Sequence, residues 1–166
     1  MSLTSYRAVP PAIAGNYNPD DYRFHNLRAA EIRADMEGFW EWLRSVNPKA
    51  RMLLTVSPVP LAATATSNHI LVATTYSKSV LRSVAGELAE DHPDIHYFPS
   101  YEIISSHPAH GMFYEPDLRN VNMFGVNYVM DHFFSGPLAK EFGNARAAAE
   151  EDIDLICEEG QLDPGV

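Results

Sequence analysis

The sequence predicts an α/β fold built on parallel strands. Two short apolar runs, residues 51–57 and 95–98, read as strands, and prolines close each of them. Between them lies a stretch of helical spacing that ends at Asp91-His92-Pro93. A helix joining two strands of one sheet is a crossover, and a crossover leaves those strands parallel.

Taken in order, residues 5–26 hold Pro10, Pro11, Gly15, Asn16, Asn18 and Pro19 with no steady period. That pattern predicts an extended loop over 1–26, with Asn26 as a helix N-cap. Ile32, Met36, Phe39, Trp40, Leu43 and Val46 then repeat at helical spacing, and Asn47-Pro48 ends the helix. After the strand at 51–57, neither Pro58 nor Pro60 can donate to a ladder, so pairing is expected to stop near Ser57. Residues 62–68 are small and polar, as in a surface loop, and residues 69–73 fit either a strand or a helix entry. Val80, Leu81, Val84 and Leu88 form the expected inward face of a helix over 75–91. Residues 101–105 leave room for a further strand, and 107–120 read as a loop. Val126, Val129, Met130 and Phe133 mark a helix over 121–134. Gly136-Pro137 punctuates the chain, and an acidic helix is expected over 138–159, giving a folded portion at 27–136 and an acidic end at 137–166.

The net charge is −10, and Lys and Arg are not clustered. Nucleic acid and anionic membranes are therefore not expected partners. No apolar run reaches the roughly 18 residues of a membrane span. Met1-Ser2-Leu3-Thr4 lacks the basic-then-apolar character of an export signal. The single cysteine, Cys157, fits a reducing compartment, so a cytoplasmic location is expected. No Gly-rich phosphate loop or cofactor motif occurs, and no cofactor is expected.

Three segments carry a resemblance. Leu54-Thr-Val-Ser-Pro-Val-Pro-Leu61, Tyr76-Ser-Lys-Ser-Val-Leu-Arg82 and Tyr97-Phe-Pro-Ser-Tyr-Glu-Ile103 stand in this order and near this spacing in the GSCFA domain family. The sequence resembles that family over roughly residues 20 to 135. The family looks like a branch of the SGNH/GDSL hydrolase-like superfamily. The resemblance implies a three-layer α/β/α fold with a mainly parallel sheet, and an esterase or acyltransferase ancestry with an ester or acyl-sugar substrate. It also implies that this chain is the carboxyl-terminal part of such a domain, and so an incomplete one. The family's Gly-Ser-Cys-Phe-Ala segment, which supplies the serine nucleophile, does not occur here, and neither does a Gly-x-Ser-x-Gly elbow. In SGNH relatives the acid and base come late, as Asp-x-x-His. The matching place is Asp117-Leu118-Arg119-Asn120, which keeps the carboxylate and replaces the histidine by Asn120. An amide cannot accept a proton near neutral pH as imidazole does.

Several residues remain candidates for chemistry. His107 and His110 precede Asp117 in a loop expected on the same sheet edge, so either is a substitute base. They are also ordinary loop histidines beside Pro108 and Gly111. His107 and His110 with Asp117 offer a set of metal ligands on paper, but no regular helix fixes their spacing and no metal is expected. Ser57 ends a strand, yet Pro58 removes a backbone N–H from any oxyanion hole there, so Ser57 and Pro58, with Glu102 and Asn120, are expected to form a wall of the site. Glu102 is a candidate for fixing a loop or orienting a base. Lys78 and Arg82, four apart on a helix, are expected to pair with protein carboxylates, with an anionic ligand as the alternative.

Two readings follow. In the first, the chain is part of a hydrolase or acyltransferase and is inactive alone. In the second, it is a non-catalytic binding or assembly module that kept the fold and lost the triad. Two parallel strands make a poorly covered sheet, so a homo-oligomer is expected.

Overall fold

The computed structural model describes residues 24–142. Most of the expected N-terminal loop and the expected acidic helix beyond Phe142 lie outside them, as does Cys157. The described chain runs α1 (Ala29–Val46), β1 (Met52–Leu54), α2 (Ile70–Asp91), β2 (Ile95–Tyr97), α3 (Ser100–Ser105), a 3₁₀ turn (His107–Ala109), α4 (Met123–Ser135) and α5 (Pro137–Phe142).

The crossover is present. β1 and β2 pair in parallel, with Met52 opposite Ile95, Leu53 opposite His96 and Leu54 opposite Tyr97. Backbone N–H groups of Met52 and Phe98 extend the pairing to the Asp94 and Leu54 carbonyls, at 2.9 and 2.8 Å. Alternation along the strands assigns two faces. Met52, Leu54 and Ile95 join Trp40, Ala50, Val84 and Leu88 in a core beneath α1 and α2. Leu88 and Ile95 are only 1 % and 2 % exposed, and each contributes about 2–3 kcal/mol by leaving water. On the other face, the His96 ring stands edge-on to Phe142 of α5 at 5.3 Å, and Phe98 meets Phe133 of α4 at 5.2 Å. Helices therefore lie on both sides of the strand pair, and the fold is α/β.

Ion pairs close the α1–α2 seam. Arg33 of α1 reaches Glu87 of α2 at 2.8 Å, Asp91, and Glu37 on its own helix. His92, just past α2, bonds Glu37 at 2.8 Å. Arg44 holds Asp94 at 3.0 Å and the Ala50 carbonyl at 2.9 Å, which steers the chain into both strands.

Several boundaries differ from expectation. The ladder stops at Leu54 rather than near Ser57, because hydroxyl groups take over the carbonyls beyond it. Residues 69–73 are a helix entry: the His69 imidazole accepts the Leu71 N–H at 3.3 Å, and α2 starts at Ile70. Residues 101–105 are helical. Neither place adds a strand, and among the described residues the sheet has two. The N-cap of α1 is Arg28 rather than Asn26, its N–H held by the Glu31 carboxylate at 2.8 Å. Phe39 and Val46 are 47 % and 67 % exposed, since the buried stripe of α1 follows Ile32, Met36, Trp40 and Leu43. Leu81, expected inward, is also exposed.

A satellite core lies under the later loops. Ile104, Ala109 and Phe113 bury against Tyr114, Val121 and Val129. Gly125 permits this approach. A Cβ there would sit 2.9 Å from Phe113 Cβ, 3.0 Å from the Phe113 carbonyl oxygen and 3.0 Å from Val121.

Two glycine substitutions should therefore move stability in opposite directions. Gly38 in α1 has open space around it, so Gly38→Ala should add roughly 0.5–1 kcal/mol through helix propensity. Gly125→Ala meets backbone as well as side chain and should cost about 1–3 kcal/mol despite the same propensity gain. Urea unfolding of the full chain reads both, and a gain at Gly125 would contradict the packing described.

Candidate functional site

The carboxyl edge of the strand pair is where the loops converge, as expected for ligand sites of open α/β sheets. Past the strands, the hydroxyls of Thr55 and Ser100 meet each other and reach the carbonyl oxygens of Phe98 (3.0 Å) and Val56 (3.2 Å). Pro99 has no N–H to continue a ladder, and α3 begins directly after it. Side chains thus replace main-chain pairing at the site.

The 57–61 loop is held from three sides. The Ser57 hydroxyl accepts the Val59 N–H at 3.3 Å, and the Leu61 N–H donates to the Thr74 hydroxyl on α2 at 3.2 Å. The Tyr114 phenol donates to the Pro58 carbonyl at 2.9 Å and bonds the Ser105 hydroxyl at 2.7 Å. Tyr114 therefore clasps the 57–61 loop, the end of α3 and the later loop together. Burial pushes the Tyr114 phenol above its ordinary pKa, so it stays protonated and able to donate.

Glu102 on α3 forms the second clasp. Its carboxylate accepts from the Arg82 guanidinium of α2 and from the Tyr97 hydroxyl at 2.8 Å. Arg82 also lies over the Tyr97 ring, 4.0 Å from its centroid. Partial burial pushes the Glu102 carboxyl up, but the bonds from Arg82 and Tyr97 outweigh it and hold it below the ordinary carboxylate range. Burial first, and then Glu102, raise the Tyr97 phenol. Glu102 binds no histidine in this arrangement; it ties α3 to α2 and β2.

The loop carrying the remaining candidates is closed on itself. Tyr114 and Val121 form an antiparallel bridge. Between them Leu118 adopts a left-handed conformation, φ 56°. The Asp117 carboxylate accepts the N–H groups of Arg119 and Asn120, at 2.9 and 3.0 Å, and the Asn120 side-chain amide at 2.6 Å. Those backbone bonds, Arg119 first, hold its carboxyl below the usual range. Asn120 thus occupies the carboxylate that an imidazole would need. His107 opens the 3₁₀ turn and His110 ends it, at φ 48° just before Gly111 at φ 74°. Both histidines are exposed, and among the described residues neither makes a side-chain hydrogen bond. No three His, Cys, Asp or Glu side chains among the described residues converge as metal ligands. The structure joins Asp117 to Asn120, and Pro58 to the Tyr114 clasp, without bringing either histidine onto Asp117.

The family model for GSCFA matches residues 2–133, most of the chain. The chain belongs to the GSCFA family. The match reaches further toward the N-terminus than the resemblance read from the three motifs. No curated protein and no solved structure matches it. Among the described residues of this GSCFA chain, no helix is long and apolar enough to cross a membrane.

Sequence reasoning overlooked Tyr97, Tyr114, Ser100 and Asn122. Asn122 caps α4 by accepting the Gly125 N–H at 2.8 Å, while its amide donates to the Met112 and Tyr114 carbonyls. Asn before a helical period was a readable signal. The phenol clasps leave no local pattern to read.

Two measurements check this rim. Tyr114→Phe should cost about 0.5–1.5 kcal/mol, the worth of a typical hydrogen bond, in urea unfolding. Glu102 has a depressed folded-state pKa, so its contribution is present above the ordinary value of 4.5 and is lost as pH falls through the folded value. Glu102→Gln should lower the melting temperature at neutral pH, and its gap from the parent chain should close on acidification. A gap independent of pH would show that the carboxylate charge does not hold the clasp.

Proposed function

We propose that this chain forms the carboxyl-side wall of an acyl-ester site in a GSCFA-type hydrolase or acyltransferase acting on an ester or acyl-sugar. The observation that carries the reading is the Tyr114 clasp. It fixes the strand-end loop at Ser57 and Pro58 to the loop system that bears His107, His110, Asp117 and Asn120, at the sheet edge where ligands bind. Pro58 and its neighbours act as a wall, and Ser57 spends its hydroxyl on its own turn. Glu102 is a positioning residue, acting through Arg82 and Tyr97. His107 and His110 are exposed imidazoles able to move a proton. The serine nucleophile and the oxyanion donors come from sequence not contained in these 166 residues.

A second reading, a binding module without catalysis, draws on the Asp117–Asn120 bond. The acid of an acid–base pair is held by an amide in its own loop and has no imidazole to orient.

One comparison separates them. The 166-residue chain should hydrolyse p-nitrophenyl acetate no faster than buffer. The same chain extended by the in-frame residues encoded upstream should turn it over, and should lose that activity when the upstream serine is replaced by alanine. An upstream stop codon, or an inert extended chain, would give the case to the binding module. Turnover by the 166 residues alone that disappears in Ser57→Ala or His110→Ala would overturn the assignment of the nucleophile.

A further inference from the structure

Lys78 is the unexplained cation of this molecule. It lies in the third turn of α2, and only 7 % of it is exposed. Among the described residues it is the only buried side chain of charged type. It makes no hydrogen bond and no ion pair there. Burying an ammonium without a partner is costly, and proteins almost always avoid it. Burial lowers the Lys78 pKa, and no carboxylate opposes it.

Its place on the helix is fixed by its neighbours. Residues four apart share a face. Thr74, one turn before Lys78, holds the Leu61 N–H of the strand-end loop. Arg82, one turn after it, holds Glu102 of α3. Lys78 therefore stands on the side of α2 turned to the rim, between its two tethers. The expected carboxylate pairing is realised by Arg82 and not by Lys78.

Two features describe how this side chain is held. A lysine that merely snorkels keeps its ammonium broadly in water, whereas almost all of Lys78 is covered. Yet every fully sealed side-chain nitrogen or oxygen among the described residues has a hydrogen-bond partner. Lys78 has none, so its ammonium keeps contact with solvent. A chain of net charge −10 has many carboxylates to offer, and none is placed against it.

We infer that Lys78 is the anion-holding group of the strand-end site and takes a small oxyanion, a carboxylate or phosphate group at one end of the ligand. An oxyanion supplies the missing counter-charge and two or more acceptors for an ammonium that has three donors. The inference names the chemistry at one end of the ligand and takes from the ester-site reading only its location. Its test needs no turnover, so failure of the hydrolase reading leaves it standing.

The chain has three lysines, Lys49, Lys78 and Lys140, which makes their Cε resonances easy to follow in the full chain labelled with ¹³C-lysine. Sodium acetate and sodium phosphate are titrated separately at fixed pH, with ionic strength balanced by sodium chloride. The Lys78 signal should shift saturably with at least one anion, while Lys49 and Lys140 do not saturate. Acetate alone would identify a carboxylate ligand, phosphate alone a phosphate group, and both a less selective oxyanion site. Lys78→Met keeps the burial and removes the charge. It should raise the melting temperature in chloride and lower the anion affinity, read from the rise of melting temperature with added acetate or phosphate, by about tenfold or more, the worth of one charge-assisted hydrogen bond. No saturable shift with either anion, or an unchanged anion response in Lys78→Met, overturns the assignment.

Discussion

The burial of Ile95 beneath α2 is the contact on which the rest depends. Strands of three residues cannot sustain a parallel pair by their few main-chain bonds alone. Ile95, Leu88 and Val84 supply the apolar closure, and Trp40 of α1 completes it. Once α2 is laid across the strands, its amino-terminal half overhangs their carboxyl ends. Thr74, Lys78 and Arg82 then fall where the 57–61 loop and α3 arrive. The core and the candidate site are thus two ends of one helix.

The rim is built from neutral hydroxyls and one charged clasp. Thr55, Ser100 and Tyr114 satisfy the Phe98, Val56 and Pro58 carbonyls, and Ser105 bonds the Tyr114 hydroxyl. Glu102 neutralises Arg82 and leaves no net cation there. Against that background a second, unneutralised cation on the same helix face acquires meaning. The contrast between Arg82 and Lys78 separates a structural cation from one left for a ligand.

Much of this was legible in the sequence, for local reasons. Prolines at positions 93 and 99 marked where α2 and β2 stop, and the crossover followed from a helix between two apolar runs. The length of β1 was not legible, because the groups that end it are hydroxyls 45 residues apart in sequence, Thr55 and Ser100. The start of α2 was ambiguous because β-branched Thr74 and Thr75 weaken the helical signal and the cap is an imidazole. In α1 the apolar positions outnumber those that one neighbouring helix covers, so Phe39 and Val46 keep the helical spacing yet face solvent. At the site, the Asp117 and Asn120 spacing was visible, and so was a loop-fixing role for Glu102. That the Asp117 carboxylate is consumed within its own turn depends on the left-handed Leu118, which no pattern announces.

The central claim is that the strand pair, α2 and the strand-end rim are one cooperative unit. Native-state hydrogen exchange on the full chain tests it most directly. The amides of Met52 and Phe98, bonded across the two strands, should exchange only with global unfolding, at the same free energy as core amides of α2 such as Leu88. The Leu61 amide, held by Thr74, should show clear protection for a loop position. Met52 and Phe98 exchanging well before α2, with Leu61 as fast as an unstructured amide, would show the strands and rim to be loosely appended and would contradict the account.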